Sequence, residues 1–303
     1  MPNEVSFSAA SETRFQSSLN PPASSKPTQL AKLSINAMTT YRWSLLETVD
    51  SFKRMGIDSI GIWRPKLSEF GEERGIDLIH ESGLKVSSLS WSGGFTGSHG
   101  YSYLDALDDA RDALHVAAEL QADCLVIITG SRSGHLTNYS RRLVYDAMNS
   151  LASDAERLGV SLAIQPMHYF FAEEWTFLTT LKETFQILDE CQSDSIGIAV
   201  DLYHLWQDPL LSELIENRSK RIKLVQVADW KTPVLSELDR HLPGDGIIPL
   251  EQILKRIQQS SYNGFYETNI LSDELWKTNY EHLIPECHRR MQDFFPIPKQ
   301  RVT

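Results

Sequence analysis

Ser161-Leu-Ala-Ile-Gln165-Pro-Met-His168 is a short apolar run that stops abruptly at polar residues and a proline. Alternation puts Leu162 and Ile164 on one face and Ala163 and Gln165 on the other, so Gln165 is the last inward residue of a buried strand. Three later runs end the same way: Ile196-Gly-Ile-Ala-Val-Asp201, Ile222-Lys-Leu-Val-Gln226 and Phe265-Tyr-Glu-Thr-Asn269. Four parallel strands of this kind present Gln165, Asp201, Gln226 and Asn269 to one mouth.

The rest of the body repeats the pattern. Leu33–Asn36 reads as the first strand, and Leu45, Val49 and Phe52 recur at helical spacing over residues 44–55. Strands follow at Ser59–Trp63, Lys85–Trp91 and Asp123–Ile128, with helices over 72–82, 103–120 and 141–158. The loop from Ser92 to Gly100 holds four glycines and reads as the most flexible stretch of the body. Helices near 179–191, 210–217, 250–258 and 273–294 follow the four strands named above.

Strands that alternate with helices imply a parallel sheet, and eight such units imply a closed (β/α)8 TIM barrel, a single domain. A doubly wound open sheet is the rival. Against it, no G-x-G-x-x-G follows the first strand, and Ala163, Gly197 and Ala199 are the small inward residues that a barrel interior favours. In such a barrel the chemistry sits at the C-terminal strand ends.

A chain of 303 residues accommodates one barrel of about 250 residues with tails. The expected division is a mobile Ser/Pro-rich arm over 1–28, the barrel over 29–294 and a tail over 295–303. A formal net charge of −11 argues against nucleic acid or an anionic membrane as partner. No apolar stretch approaches the ~18 residues of a spanning helix, and the polar start lacks a hydrophobic signal core, so the expectation is a cytoplasmic protein. Cys124, Cys191 and Cys287 are far apart and form no C-x-x-C pair, which reads as reduced thiols.

Asp201-Leu-Tyr-His204 leaves a strand end with a carboxylate and an imidazole three residues apart. A buried aspartate needs an ion pair, hydrogen bonds or a metal, and the plainer alternative is a cap on the next helix. His168 and His204 are candidates for proton transfer, or equally for hydrogen bonds to hydroxyls or neighbouring loops. Arg240, in Leu238-Asp-Arg-His-Leu-Pro-Gly-Asp-Gly246, offers a planar fork to a substrate oxygen, or sits on an ordinary solvated turn. Trp63, Trp91, Phe95 and Trp230 lie at or just past strand ends, where aromatic walls suit sugar rings and also simply fill cores. Arg132 and the glycine-rich loop after the third strand are candidate anion contacts, without any phosphate-loop signature around them.

Taken in order, Trp63-Arg64, Ser87-Ser-Leu, Leu162-Ala-Ile-x-Pro-Met, Asp201-Leu-Tyr-His-Leu-Trp, Val227-Ala-Asp-Trp230, Gly244-Asp-Gly246 and Gly264-Phe-Tyr-Glu-x-x-Ile-Leu-Ser resemble the xylose isomerase-like TIM-barrel superfamily. The closest likeness is to its sugar and sugar-phosphate isomerase and epimerase branch, over about residues 30 to 290. That resemblance implies a small carbohydrate or polyol substrate, a dimer or tetramer, and a divalent metal, Mn²⁺, Mg²⁺ or Co²⁺, on four side chains. The four are a Glu, an Asp, a His and a Glu ending the fifth to eighth strands, and they fall on Gln165, Asp201, Gln226 and Asn269. Only Asp201 keeps the expected residue type.

A Glu, Asp, His, Glu set brings three negative charges to a dication, whereas this set brings one charge and three amides. Affinity falls with charge count, so weak metal binding or none is expected at this degenerate site. The family's two glutamates also move the substrate proton, which an amide cannot do at neutral pH. Glu267, one layer deeper on the same strand, and the two histidines are the remaining candidates for that role. Two other classes compete: a catalytically silent sugar-binding or scaffold protein of the same fold, and a DNA-repair endonuclease of the superfamily. The endonuclease needs several zinc-binding His and acidic residues and a basic face, and this chain has neither.

Overall fold

Eight parallel strands follow the chain around a closed barrel: β1 Lys32–Asn36, β2 Ser59–Trp63, β3 Lys85–Gly93, β4 Cys124–Ile128, β5 Ser161–Ile164, β6 Ile196–Asp201, β7 Ile222–Val227 and β8 Phe265–Thr268. Each pairs with its neighbour in sequence, and β1 closes the ring on β8 with Leu33 opposite Tyr266 and Ile35 opposite Thr268. The computed structural model describes residues 30–234, 236 and 238–296. The arm expected over 1–28 and the tail from 297 onward lie outside the described residues.

Helices α1 Leu45–Arg54, α2 Arg64–Phe70, α3 Glu72–Ser82, α4 Tyr103–Glu119 and α5 Thr137–Leu158 cover the first half of the ring. Then come α6 Leu181–Glu190, α7 Leu202–Leu205, α8 Leu211–Asn217, α9 Leu250–Gln259 and α10 Tyr280–Phe294. Local chemistry sets several starts. Ser44 and Glu47 form a reciprocal capping box at α1, and Ser102 and Asp105 do the same at α4.

Two helices are absent from the sequence reading. Pro65 sits in the first turn of α2, where its missing N–H costs nothing. The short α7 is capped by Asp201 itself. The last helix begins at Tyr280 and not near 273, because the chain first makes a 3₁₀ turn over Leu275–Lys277 and Asn279 then caps α10. The Trp276 indole N–H in that turn donates to the Met38 carbonyl at 2.9 Å, which fixes the turn to the exit of β1. The glycine-rich loop after β3 is packed, with Phe95 and Thr96 buried.

Apolar residues separate into two cores. The larger lies between strands and helices, where burying a Leu or Ile side chain contributes about 1.5–3 kcal/mol. A smaller cluster fills the barrel lumen and consists of Cys124, Val126, Ala163, Ala199, Leu224 and Phe265, with Trp91 packed on it. Ala163 and Ala199 thus line the interior as the alternation requires. Cys124, Cys191 and Cys287 are all buried and unbridged, and burial raises each thiol pKa.

Above the apolar lumen lies a polar layer. Glu267 is fully buried there and receives four hydrogen bonds: Asn36 Nδ2 and Gln226 Nε2 on Oε1, both at 2.9 Å, and Ser87 and Ser88 hydroxyls on Oε2 at 2.6 and 2.7 Å. Two consecutive serines reach one oxygen because β3 bulges there, Gly61 pairing with Ser88 directly after Ile60 pairs with Val86. Gly61 has no side chain to spare: a Cβ there would overlap Glu267 Oε2.

Candidate functional site

At the C-terminal end of β6, Asp201 uses both oxygens. Oδ1 accepts the Tyr203 N–H at 3.0 Å and caps α7, while Oδ2 accepts Arg240 Nη1 at 2.7 Å and Gln165 Nε2 at 3.3 Å. The capping role and the paired-acid role therefore coexist in one carboxylate. Both partners are buried, Asp201 at 0% exposure and Arg240 at 5%.

Arg240 comes from the long segment between β7 and α9. Asp229 organises that segment by accepting the N–H groups of Trp230, Gly244 and Ile248 at 2.8, 2.9 and 3.1 Å. Gly246 packs against this carboxylate so closely that a Cβ would overlap it. Bridges between Asp229 and His241 and between Asp239 and Ser272 tie the segment to the exits of β7 and β8. Arg240 sits between them, its own N–H on the Leu271 carbonyl and its guanidinium carbon 4.7 Å from the Tyr203 ring centre. Nη1 also reaches the Asn269 carbonyl at 3.3 Å.

His204 Nε2 lies 3.1 Å from Arg240 Nη2. A guanidinium only donates, so Nε2 accepts and the proton of the neutral ring is assigned to Nδ1. Burial, then the charge of Arg240, then His168 hold the His204 pKa well below its usual value. The 3.7 Å approach of its Nε2 to Asp201 Oδ2 is accordingly no ion pair. Burial raises the Asp201 carboxyl pKa, and the charge and hydrogen bond of Arg240 oppose that rise.

His168 is half-buried in a nest of rings, with centroids 4.3 Å from Tyr169, 4.6 Å from Phe170 and 5.3 Å from Trp230. Burial lowers its pKa too, which keeps the imidazole neutral and able to accept a proton. Trp230 stacks tilted on Tyr203 at 4.8 Å. Trp63 packs against Tyr41 and Trp91 against Trp175, and Phe95 is wholly buried.

The structure thus brings together Gln165, Asp201, His204, Arg240 and Asn269, with His168 and Trp230 beside them. Gln226 is turned away toward Glu267. Tyr203, Asp229 and the serines under Glu267 went unassigned in the sequence reading. Tyr203 was visible inside Asp-Leu-Tyr-His, and Asp229 inside Val-Ala-Asp-Trp. Among the described residues, Tyr203 Oη, His204 Nδ1, Gln226 Oε1 and Asn269 Oδ1 are buried without a hydrogen-bond partner. The loops after β3, β4 and β5 border an open cavity of about 510 Å³ lined by Ser98, Ser131, Ser133, Phe170, Glu173 and Glu174 among others.

A model of the xylose isomerase-like TIM barrel matches residues 49–286. The chain belongs to that family. Its relatives in the family include the inosose isomerase of Halalkalibacterium halodurans, 22% identical over 84% of this chain and 92% of the relative. The crystal structure of protein SMc04130 from Sinorhizobium meliloti 1021 is 32% identical, with a TM-score of 0.81 over 88% of this chain and 98% of that one. The IOLI protein with a binding zinc atom shares the fold at 19% identity and a TM-score of 0.76, covering 87% and 97% of the two chains.

The metal that the xylose isomerase-like fold implies is a poor match for these residues. Asp201 is the one acid among the four equivalent positions, and its inward oxygen is already taken by a guanidinium. Among the described residues, no three His, Cys, Asp or Glu side chains gather closely enough to hold an ion.

Proposed function

We propose that this barrel binds a small uncharged carbohydrate or polyol ketone at its C-terminal mouth, over the buried Asp201 and Arg240 pair and without a divalent metal. The observation that carries this reading is the cluster itself: a paired acid and guanidinium flanked by the partnerless Asn269 Oδ1 and His204 Nδ1, beside the rings of His168 and Trp230. Partnerless buried polar atoms are costly unless water or a ligand hydroxyl meets them. Aromatic faces suit the C–H side of a sugar ring.

The loop cavity supports an uncharged ligand. Its serines offer hydroxyl partners, whereas Glu173 and Glu174 repel a phosphate. Membership of a family with sugar isomerases and epimerases, an inosose isomerase among them, points to the same substrate class.

Turnover in this reading falls to His168. It is half-buried and neutral, whereas the two buried carboxylates, Asp201 and Glu267, are already engaged by Arg240 and by four donors. A proton taken from carbon by His168 would leave an enediolate beside the Arg240 charge. A silent binder is the second reading, favoured because Glu267 already accepts four hydrogen bonds and sits beneath the mouth. The test is saturation-transfer NMR in EDTA with cyclic and open-chain polyols and their ketones, run in D₂O. Binding with deuterium entering the carbon next to the carbonyl supports the isomerase reading, and binding without exchange supports the silent one. No binding by any member of the panel refutes both.

A further inference from the structure

An acid buried as deeply as Asp201 cannot stay charged alone, because removing it from water is strongly unfavourable without a counter-charge. Arg240 meets that need at 2.7 Å with a planar guanidinium. Three of the four positions equivalent to the family's metal ligands touch this pair: Asp201 itself, Gln165 through its amide N–H, and Asn269 through its backbone carbonyl. A dication in the same place would compete for Asp201 Oδ2 and be repelled by the guanidinium.

The argument also runs in reverse. One fixed positive charge balances one acid, so glutamates at 165 and 269 would add two buried charges with nothing to match them. Amides at those positions are what a single cation tolerates. The cation is also built into the scaffold: Asp229 gathers three N–H groups of the segment, two backbone bridges pin it, and the Tyr203 ring lies under the guanidinium.

We propose that Arg240 is the resident cation of this mouth and has taken the place of the divalent metal, so that Asp201, the Arg240 side chain and the neutral amides at 165 and 269 form one charge-balanced unit. The inference does not depend on which ligand the mouth takes.

The test titrates MnCl₂ calorimetrically into the full-length wild type, Arg240→Ala and the neutral pair Asp201→Asn/Arg240→Met. The same proteins are melted with and without millimolar methylguanidinium, and with tetramethylammonium as the ionic-strength control. Arg240→Ala is expected to melt about 6 to 20 °C below wild type. It should also bind Mn²⁺ at least about tenfold more tightly than wild type, and regain part of its melting temperature with methylguanidinium but not with tetramethylammonium. The neutral pair should melt above Arg240→Ala and respond to no cation. Should Arg240→Ala fail to fold, a folded neutral pair upholds the proposal and an unfolded one overturns it. Wild type that binds one equivalent of Mn²⁺ as tightly as Arg240→Ala, or a neutral pair no more stable than Arg240→Ala, also overturns it.

Discussion

Gln226 Nε2 donates to Glu267 Oε1 across 2.9 Å, one layer beneath the mouth, so one of the four metal-equivalent positions serves the barrel interior. Asn36 shares that oxygen, and Ser87 and Ser88 take the other. The carboxylate draws β1, β3, β7 and β8 together at the level where the apolar lumen ends.

Replacing Glu267 with Gln removes one acceptor oxygen: an NH₂ turned toward Asn36 and Gln226 meets two donors, and one turned toward Ser87 and Ser88 makes their hydroxyls accept and takes the Ser88 proton's acceptor away. A buried donor left without an acceptor costs about 1–3 kcal/mol. Glu267→Gln should therefore lower stability by about that amount, read from the urea midpoint at constant slope. An unchanged midpoint would show that the four contacts contribute little.

Gly61→Ala probes the same layer sterically. Its Cβ would overlap Glu267 Oε2 and crowd Asn36 Nδ2, in a layer with no slack. A loss of about 1–3 kcal/mol is expected in the same urea assay, and none if the barrel can widen there.

Lys66 gives a pH signature. The residue is 3% exposed, its ammonium donates to the carbonyls of Ala37 and Thr40 at 2.9 and 2.7 Å, and burial pulls its pKa down to about 7. Between that value and its ordinary 10.5 the unfolded chain binds more protons, so stability should rise with pH from about 7 upward. Lys66→Met should flatten this slope in urea titrations over that range. A variant with the wild-type slope would remove Lys66 as its source.

His204 acts on the acid side. Its folded pKa lies well below the usual 6.5, so the unfolded chain binds the proton first as pH falls. Stability should fall as pH drops below 6.5, and His204→Gln should weaken that dependence. An unaltered acid profile would contradict the neutral buried imidazole.

Much of this was legible in the sequence. Period-two alternation put Gln165 and Asp201 inward at neighbouring strand ends, and put Glu267 one layer below Asn269. What stayed hidden depends on long-range geometry. The β3 bulge that turns both Ser87 and Ser88 to Glu267 leaves no trace in local pattern. Arg240 reaches Asp201 only because Asp229 folds the intervening segment back over the mouth. Helix α2 leaves little trace in the sequence, since Trp63-Arg64 has the character of a strand exit although Pro65 is a good first-turn residue.

His168 separates binding from turnover. If it is the base, His168→Ala should slow deuterium uptake into a bound ketone by about 10²-fold or more while changing the ligand Kd far less. Equal losses in both would reduce His168 to a contact.

The most direct measurement is the Kd of a polyol ketone for wild-type protein dialysed against EDTA, set beside the value in excess Mn²⁺. A metal-free mouth centred on Asp201 and Arg240 predicts saturable one-site binding with the same constant in both. Binding that appears only with Mn²⁺ would contradict it.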